Sequence, residues 1–392
     1  MLLTTNINKQ DTWGTAVRYE SPKGKKWFNA KTGRKIYIEP VALNYIQVLN
    51  GYDQHQVCKG IEDLARVPAP MDGLVNQQNP AFFKGKQASA TVFNFLIKYS
   101  VTSELIIVSR VNLDSVVTGQ KAGGIGETHS LYSINKVNAE LTFSASSNFN
   151  DVRELEAAWD VGPAITKVKT EHAAVNGMLN PLRKAAWLMG VHAESAYPAD
   201  QIDKYTLFHN PSEGGWADFF ESVKDNLGVT TPLAEHLAAV LLDVQQSGDA
   251  VNWVVHSQGG IIFTQAVAHH LKRYPNARLD KNTVAFHAGG NNKKKTDKLL
   301  RRAGISKAAP DNDNPFDMVP NLAGHNDMGL SAVKRSLQFA GKVMGGDDDS
   351  ATESPHTLPF ISLEAYRGFL LMAKDYKSAE RVQEYMNKQT TK

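Results

Sequence analysis

Residues 251–271 read VNWVVHSQGGIIFTQAVAHHL, and no other stretch of the chain says more about its fold. An apolar run ends at His256 and leads directly to Ser257, after which two glycines open an amphipathic helical pattern. A catalytic serine on the strained turn between a strand and a helix has this pattern, because its Oγ must project above the sheet. The pattern predicts that Ser257 is a nucleophile. The alternative interpretation is that Ser257 only caps the helix.

The residues around Ser257 also bear on this prediction. The close approach of strand and helix favours small residues two positions before and two positions after the nucleophile. Gly259 satisfies the second requirement, whereas Val255 is larger than the glycine that commonly occupies the first position. His256 lies at the end of the strand and is expected to point away from the serine hydroxyl, which predicts a structural role for it.

Outward from this stretch, strand patterns and helix patterns alternate from about residue 203 onward. The expected strands are 204–210, 251–256 and 282–290, and the expected helices are 216–228, 232–248, 259–275, 293–303 and 361–387. This alternation predicts an α/β fold, with a mostly parallel sheet flanked by helices.

The rest of the chain divides by its pattern. Residues 1–150 read as short strands and loops, so we expect a large N-terminal extension or insertion of mixed α+β structure and unknown role. Residues 151–200 carry apolar residues at helical spacing, interrupted by glycine and proline, which predicts a helical connector or lid. Residues 201–392 are then the α/β core.

Composition excludes several classes of function. The 392 residues carry a net charge of only +3, which argues against nucleic acid as a partner. Cys58 is the single cysteine, so an intramolecular disulfide and the cysteine-rich zinc sites are excluded. We expect no metal and no cofactor. The first residues lack a basic region followed by an apolar one, so we expect synthesis in the cytoplasm without a Sec signal peptide.

A serine nucleophile of this kind needs an acid and a base, which follow it in the chain order serine, acid, histidine. The candidate acids lie in DNDNPFDMVPNLAG, residues 311–324. We prefer Asp317 because apolar neighbours would fix its position, whereas Asp311 and Asp313 lie in a polar run. The alternative is that Asp317 is only a turn residue.

Two histidines follow the candidate acid. His356 lies in a loop before the last predicted helix, where the chain order puts the base. His325 follows Asp317 by only eight residues, a short separation for two loops that must converge on one serine. We therefore predict that His356 is the base and keep His325 as the alternative.

Two backbone N–H groups are needed to bind the oxyanion that forms during acyl transfer. The first is expected from Gln258, which follows the nucleophile. The second is expected from the loop after the strand at 204–210, where Pro211 has no N–H group. That leaves Asn210 or Ser212, of which we prefer Asn210. The alternative is that this loop is a plain turn from strand to helix.

A basic cluster follows the strand at 282–290. Its members are Lys293, Lys294, Lys295, Lys298, Arg301 and Arg302. Such a cluster is typical of a solvated helix face, and the alternative is a site for anionic lipid headgroups.

Four motifs together resemble a known family. They are HSQGG (256–260), FHNPSEGGWADFFES (208–222), FDMVPNLAG (316–324) and SPHTLPFISLEAY (354–366). They resemble bacterial α/β-hydrolases of the lipase kind, in particular lipase-like toxins and effectors of type VI secretion. The resemblance extends over about residues 203–370, and Val255 departs from it.

This resemblance implies an α/β-hydrolase core and a lipase or phospholipase activity. It further implies contact with a membrane surface, delivery by a secretion apparatus and an immunity protein as inhibitor. The expected triad is Ser257, His356 and Asp317, acting through an acyl-enzyme.

Two alternatives to a lipase remain open. A thioesterase or acyltransferase would use the same triad with a different pocket. A non-enzymatic structural or interaction protein would keep the scaffold without the reaction. Labelling by a fluorophosphonate probe separates the two classes, because the probe needs an activated serine.

Overall fold

The structure is a computed structural model. It describes residues 6–20, 33–66, 86–114, 129–144, 152, 154–211, 231–344 and 353–390. They separate into two compact units, residues 6–114 and residues 129–390. Ser212 and the expected helix at 216–228 lie outside the described residues.

The first unit is a six-stranded mixed sheet with two helices packed on it. Its elements are β1 (Ile7–Trp13), β2 (Ala16–Tyr19), β3 (Lys35–Ile38), α1 (Pro40–Gln47), α2 (Gly51–Arg66), β4 (Lys86–Val92), β5 (Phe95–Val101) and β6 (Leu105–Leu113). The order across the sheet is β1-β2-β3-β6-β5-β4, and β3 and β6 run parallel. Its core joins both helices to the sheet through Ile46, Ile61, Phe95 and Val108.

The second unit is built on a seven-stranded sheet in the order β13-β12-β11-β9-β10-β7-β8. Its strands are β7 (Ser130–Lys136), β8 (Trp159–Ile165), β9 (His172–Val175), β10 (Lys204–His209), β11 (Val251–His256), β12 (Asn282–His287) and β13 (Ser306–Lys307). Five neighbouring strands, β13 to β10 in this order, run parallel, and β7 and β8 form an antiparallel edge. The predicted α/β class and mostly parallel sheet are therefore confirmed.

Helices cover both faces of this sheet. The helices of this unit are α3 (Leu182–Ala196), α4 (Pro232–Ser247), α5 (Gln258–Arg273), α6 (Lys293–Ala303), α7 (Leu330–Met344), α8 (Leu363–Met372) and α9 (Tyr376–Thr390). Trp253 and Val255 of β11 enter a core shared with α4 and α5, whereas Val254 enters the core on the opposite face, shared with α3. Burial on both faces explains why β11 is a continuous apolar run rather than an alternating one.

Local signals set the ends of α4. The Thr231 side chain accepts a hydrogen bond from the Ala234 amide at 3.2 Å, and Pro232 occupies the first turn. The helix ends at Gly248, whose φ of 87° is in the left-handed region that glycine tolerates. These signals explain why the sequence predicted both ends of this helix.

The structure differs from the expected division in the middle of the chain. The second unit starts at residue 129, so its sheet includes strands from the regions that were expected to be an N-terminal extension and a helical connector. Within residues 151–200, β8 and β9 precede the one long helix, α3. The reason is that β9 is short and fully buried, and its sequence HAAV has no alternating pattern to distinguish it from a helix.

The last predicted helix is also divided. Residues 361–387 contain α8 and α9, separated by a turn in which Lys374 has a φ of 61°. The sequence carries neither glycine nor proline at this turn, so its pattern read as one continuous helix.

Candidate active site

Ser257 occupies the turn between β11 and α5 with a backbone that few residues adopt. Its φ is 57° and its ψ is −124°, a conformation that costs a non-glycine residue about 1–3 kcal/mol. The turn is held by its own backbone, since the Ser257 carbonyl accepts hydrogen bonds from the amides of Gly260 and Gly290, both at 3.1 Å. Ser257 occupies the N-cap position of α5, but its side chain makes no capping hydrogen bond.

Close packing explains the glycines after Ser257. A Cβ on Gly259 would lie 2.3 Å from the carbonyl oxygen of Val175, at the end of β9, and one on Gly260 would lie 2.6 Å from Asn291 Oδ1. The Val255 side chain is fully buried in the core that β11 shares with α4 and α5. The departure from glycine at that position is therefore compatible with the turn.

His356 and Asp317 form a buried pair. His356 Nδ1 lies 2.7 Å from Asp317 Oδ2, and the Asp317 side chain is fully buried. The second carboxylate oxygen, Oδ1, accepts a hydrogen bond from the Val319 amide at 2.9 Å. An Nδ1–H that donates to a carboxylate leaves the lone pair on Nε2, so the ring is oriented as a base through Nε2.

This pair lies beside the end of β11, the strand that leads to Ser257. The ring of His356 is 4.7 Å from the ring of His256, centroid to centroid, and His256 directly precedes Ser257. Ser257 Oγ is buried and has no hydrogen-bond partner among the described residues. A buried hydroxyl without a partner costs about 1–3 kcal/mol, and such groups in native proteins commonly have a functional reason.

The alternative acids and base are occupied or exposed. Asp311 Oδ1 lies 2.6 Å from Lys307 Nζ, and Asp313 forms an ion pair with Lys293. Burial raises the pKa of Asp313 above its usual value. His325 is exposed at a residue with a φ of 53°, and no hydrogen bond joins it to Asp317 in the part of the chain that the structure describes.

The predicted backbone donor from Asn210 is wrong. The Asn210 amide already donates to Asn176 Oδ1 at 2.8 Å, so it is not available to an oxyanion. Its side chain lies beside the turn instead, since Asn210 Nδ2 donates to Gln258 Oε1 at 2.7 Å. Gln258 is the first residue of α5, where amides have no partner within the helix. Its predicted role as the first donor remains a prediction.

The loop after β9 approaches Ser257, and the sequence did not reveal this approach. A Cβ on Gly177 would lie 2.6 Å from Ser257 Cβ and 3.1 Å from Ser257 Oγ. β9 is the neighbour of β11, and the carboxyl ends of parallel strands meet at one edge of a sheet. The signal was Asn176-Gly177 directly after HAAV, which the helical interpretation of this region concealed.

Asparagine side chains orient the peptide groups of this loop. Asn176 Nδ2 donates to the Gly177 carbonyl at 2.8 Å, and Asn180 Nδ2 donates to the Met178 carbonyl at 3.1 Å. In a trans peptide the N–H group points opposite to the carbonyl, so the amides of Met178 and Leu179 point away from these asparagines. Leu179 has a strained φ of 57°, which also marks this loop as tightly held.

The structure offers no metal site and no membrane span in the residues it describes. No group of three or more histidine, cysteine, aspartate or glutamate side chains there is arranged to bind a metal ion. No helix among them has both the length and the apolar character that crossing a bilayer requires.

Comparisons with protein families, with curated proteins and with solved structures find no match for this chain.

Proposed function

We propose that this protein is a serine ester hydrolase with an α/β-hydrolase-type core. Ser257 is the nucleophile, His356 the base and Asp317 the residue that orients the base. One observation carries the proposal: a buried serine hydroxyl, without a partner among the described residues, stands on a strained strand-to-helix turn directly after His256, whose ring contacts an imidazole that a buried carboxylate orients. The chain order of the three residues, at positions 257, 317 and 356, is the one this fold type uses.

The reaction follows from the two nitrogens of the His356 ring. Nε2 takes the proton from Ser257 Oγ as the oxygen attacks the ester carbonyl, and then gives that proton to the departing alcohol. Asp317 stabilises the imidazolium that exists between these steps, because Nδ1–H points at its carboxylate. Water then attacks the acyl-enzyme with Nε2 again as base, which releases the acid and restores Ser257.

The oxyanion is stabilised by backbone amides at the same edge of the sheet. The amide of Gln258 begins α5, where the helix dipole also favours negative charge. The second donor comes from the loop 176–179, whose approach to Ser257 and whose oriented peptides support this role. Asn210 then links the two donor segments, because it donates hydrogen bonds to Asn176 in the loop after β9 and to Gln258 at the start of α5.

We extend the proposal to lipid-like esters at a membrane surface. Helix α7 carries an exposed stripe, with Leu330 92% and Leu337 59% exposed and Lys334 between them. The loop before α7 is bonded to the start of the basic helix α6, since Asn326 Oδ1 accepts from the Lys293 amide at 2.9 Å. Apolar side chains next to cations suit an anionic lipid surface. Delivery by a secretion apparatus and an immunity protein follow from the family resemblance alone.

Fluorophosphonate labelling tests the proposal. Wild type and His325→Ala should be labelled, whereas Ser257→Ala and His356→Ala should lose labelling by about 10³-fold or more. His325 is the matched control because it is a histidine of the same region that lies outside the proposed site. A wild type that stays unlabelled in buffer and in detergent, while folded by circular dichroism, would overturn the proposal.

A further inference from the structure

Four buried histidines form a continuous series of ring contacts that begins at the candidate base, one pair stacked and two pairs tilted. Between ring centroids, His356 lies 4.7 Å from His256, His256 lies 4.5 Å from His192, and His192 lies 5.1 Å from His287. None of the four is more than 7% exposed. Phe360 packs on the side of the stack, 5.2 Å from both His192 and His287. We call these four residues the histidine column.

The outer half of the column joins the base loop to the nucleophile strand. His256 Nε2 donates a hydrogen bond to the carbonyl oxygen of His356 at 2.9 Å. The His256 ring also packs against the His356 ring at an interplanar angle of 38°. Because Ser257 is the next residue after His256, one side chain fixes the base relative to the nucleophile.

The inner half of the column reaches the loop that carries the acid. His192 Nδ1 lies 2.9 Å from His287 Nδ1, and His287 Nε2 lies 3.3 Å from Asn312 Nδ2. The Asn312 carbonyl accepts a hydrogen bond from the Ala288 amide at 2.7 Å, and the Asn312 amide donates one to the Phe286 carbonyl at 3.0 Å. Asn312 lies five residues before the candidate acid, so the column touches all three loops that carry the triad.

We propose that the histidine column is the positioning device of the triad, with His256 as its decisive member. His256 holds the backbone of His356 against the end of β11, and His192 and His287 extend this brace to the acid loop. None of these three residues contacts the substrate, so they are positioning residues. The inference rests on the proposed function, because the column has a catalytic effect only if His356 must be aligned with Ser257.

His192, His256 and His287 work as neutral rings, whereas His356 is the ring that gains and loses a proton in the reaction. Only one hydrogen fits in the 2.9 Å contact between His192 Nδ1 and His287 Nδ1, so the two rings cannot both be imidazolium. Burial lowers the pKa of His192 and His256 well below the usual value, and lowers that of His287 to about 3. Among the described residues, the titratable groups that affect the pKa of His192 and His256 are the other histidines of the column, and the carboxylate of Asp317 faces His356. The neighbours Phe360, Asn312 and the Thr357 backbone carry no charge.

Two substitutions of His256 separate its hydrogen bond from its volume. His256→Phe keeps a ring in the stack but has no donor for the His356 carbonyl, whereas His256→Gln keeps an N–H donor on a shorter side chain. We would measure kcat and KM on p-nitrophenyl butyrate from pH 6 to 9, together with the rate of fluorophosphonate labelling. We expect His256→Phe to lower kcat by about 10- to 100-fold with KM within twofold, and to shift the acid limb of the pH profile. His256→Gln should recover most of kcat.

The matched control is His270→Phe. His270 is also a buried histidine that bonds a backbone carbonyl, that of Ala277 at 3.1 Å, but it lies on α5 outside the column. We expect its kcat and pH profile to equal those of wild type. Wild-type kinetics and an unchanged pH profile in His256→Phe would overturn the column. An unlabelled wild type would instead overturn the proposed function, and the column's role with it.

A measurement on the wild type covers the case in which His256→Phe does not fold. The bond to the His356 carbonyl requires a hydrogen on His256 Nε2, and a neutral ring then has none on Nδ1. Histidine 15N NMR should therefore show this tautomer for His256, unchanged from pH 6 to 9. A hydrogen on Nδ1, or a His256 ring that titrates in this range, would contradict the column.

Discussion

Ser257 shows how a strained residue is kept in place by its neighbours. The cost of its backbone is met because the Ser257 carbonyl has two amide partners and the turn is packed against β9 through Gly259. The same packing brings Gly177 within contact of the serine side chain. The space beside Ser257 Oγ therefore depends on the absence of a side chain at position 177.

Gly177→Ala tests that dependence. The added Cβ would lie 2.6 Å from Ser257 Cβ, closer than real contacts allow, so the loop after β9 or the serine must move. A displacement of about 1 Å is enough to lower kcat by about 100-fold. The measurement is ester hydrolysis alongside the melting temperature. Gly341→Ala on α7, where a Cβ meets nothing within 4 Å, is the control and should leave kcat unchanged. Normal turnover in Gly177→Ala would mean that this loop does not bear on the reaction.

Asp317→Asn tests how the base is oriented. An amide keeps the size of the side chain but can present N–H to His356 Nδ1, which forces the hydrogen of the ring onto Nε2 and removes the basic lone pair there. A loss of about 10⁴-fold in kcat accompanies this change in serine proteases, and we expect about 10³- to 10⁴-fold here. Asp311→Asn is the control, because Asp311 pairs with Lys307 rather than with a histidine. Equal kcat values for the two variants would remove Asp317 from the mechanism.

At the scale of elements, the sequence predicted those that carry their own signals. β11, α5 and the ends of α4 follow from an apolar run, a helical pattern and local caps, and the structure has them within two residues of the predicted bounds. β9 could not be predicted in this way, since its strand character comes from burial between β10 and β11. Because the neighbour of β11 was unknown, the second donor was assigned to the loop after β10, where Asn210 proved to be occupied.

The candidate residues divide in the same manner. Ser257 and its glycines are local in sequence, so one stretch was enough to predict them. Pairing His356 with Asp317 needed the chain order, the apolar neighbours of Asp317 and the loop position of His356, although the two residues are 39 positions apart. The histidine column was not predicted, because His192, His256 and His287 come from three elements and no pattern of spacing connects them.

Helix α7 gives a test of the lipid surface. Leu330→Ser with Leu337→Ser should lower hydrolysis of an ester in anionic vesicles by about tenfold or more, because each leucine that enters an apolar phase contributes about 1.5–3 kcal/mol. Hydrolysis of a soluble short-chain ester should stay within twofold. The double variant Met372→Ser with Tyr376→Ser removes two other exposed apolar side chains and is the control. Equal losses on the soluble and the vesicle ester would contradict a surface role for α7.

At the scale of the whole molecule, the second unit buries an unusual number of neutral histidines. Burial lowers the pKa of His129 and His287 to about 3 and that of His209 to about 4, and it also lowers the pKa of His192 and His256. In the unfolded chain the same side chains titrate near 6.5. Below that pH the unfolded chain binds more protons than the folded one, so acid favours unfolding.

The free energy of unfolding of this unit should therefore fall steeply below pH 6.5. A histidine whose pKa is lowered by burial contributes stability that is complete above its unfolded pKa and is lost by about 1.4 kcal/mol per pH unit as the pH falls toward its folded pKa. His129, His209 and His287 together lose about 4 kcal/mol at pH 5.5, a large part of the stability of a typical domain, and His192 and His256 act in the same direction. Asp375, with a pKa lowered to about 2, loses its contribution only below about pH 4, outside this window.

Urea unfolding followed by tryptophan fluorescence at pH 7.5, 6.5 and 5.5 measures this slope. His129→Gln removes one titrating group and should reduce the slope by about 1.4 kcal/mol per pH unit, whatever it does to stability at pH 7.5. A free energy of unfolding that stays constant from pH 7.5 to 5.5 would mean that the buried rings accept protons without cost. That result would also remove the requirement for neutral rings on which the histidine column depends. The stability of the unit and the alignment of the proposed triad therefore depend on the same buried imidazoles.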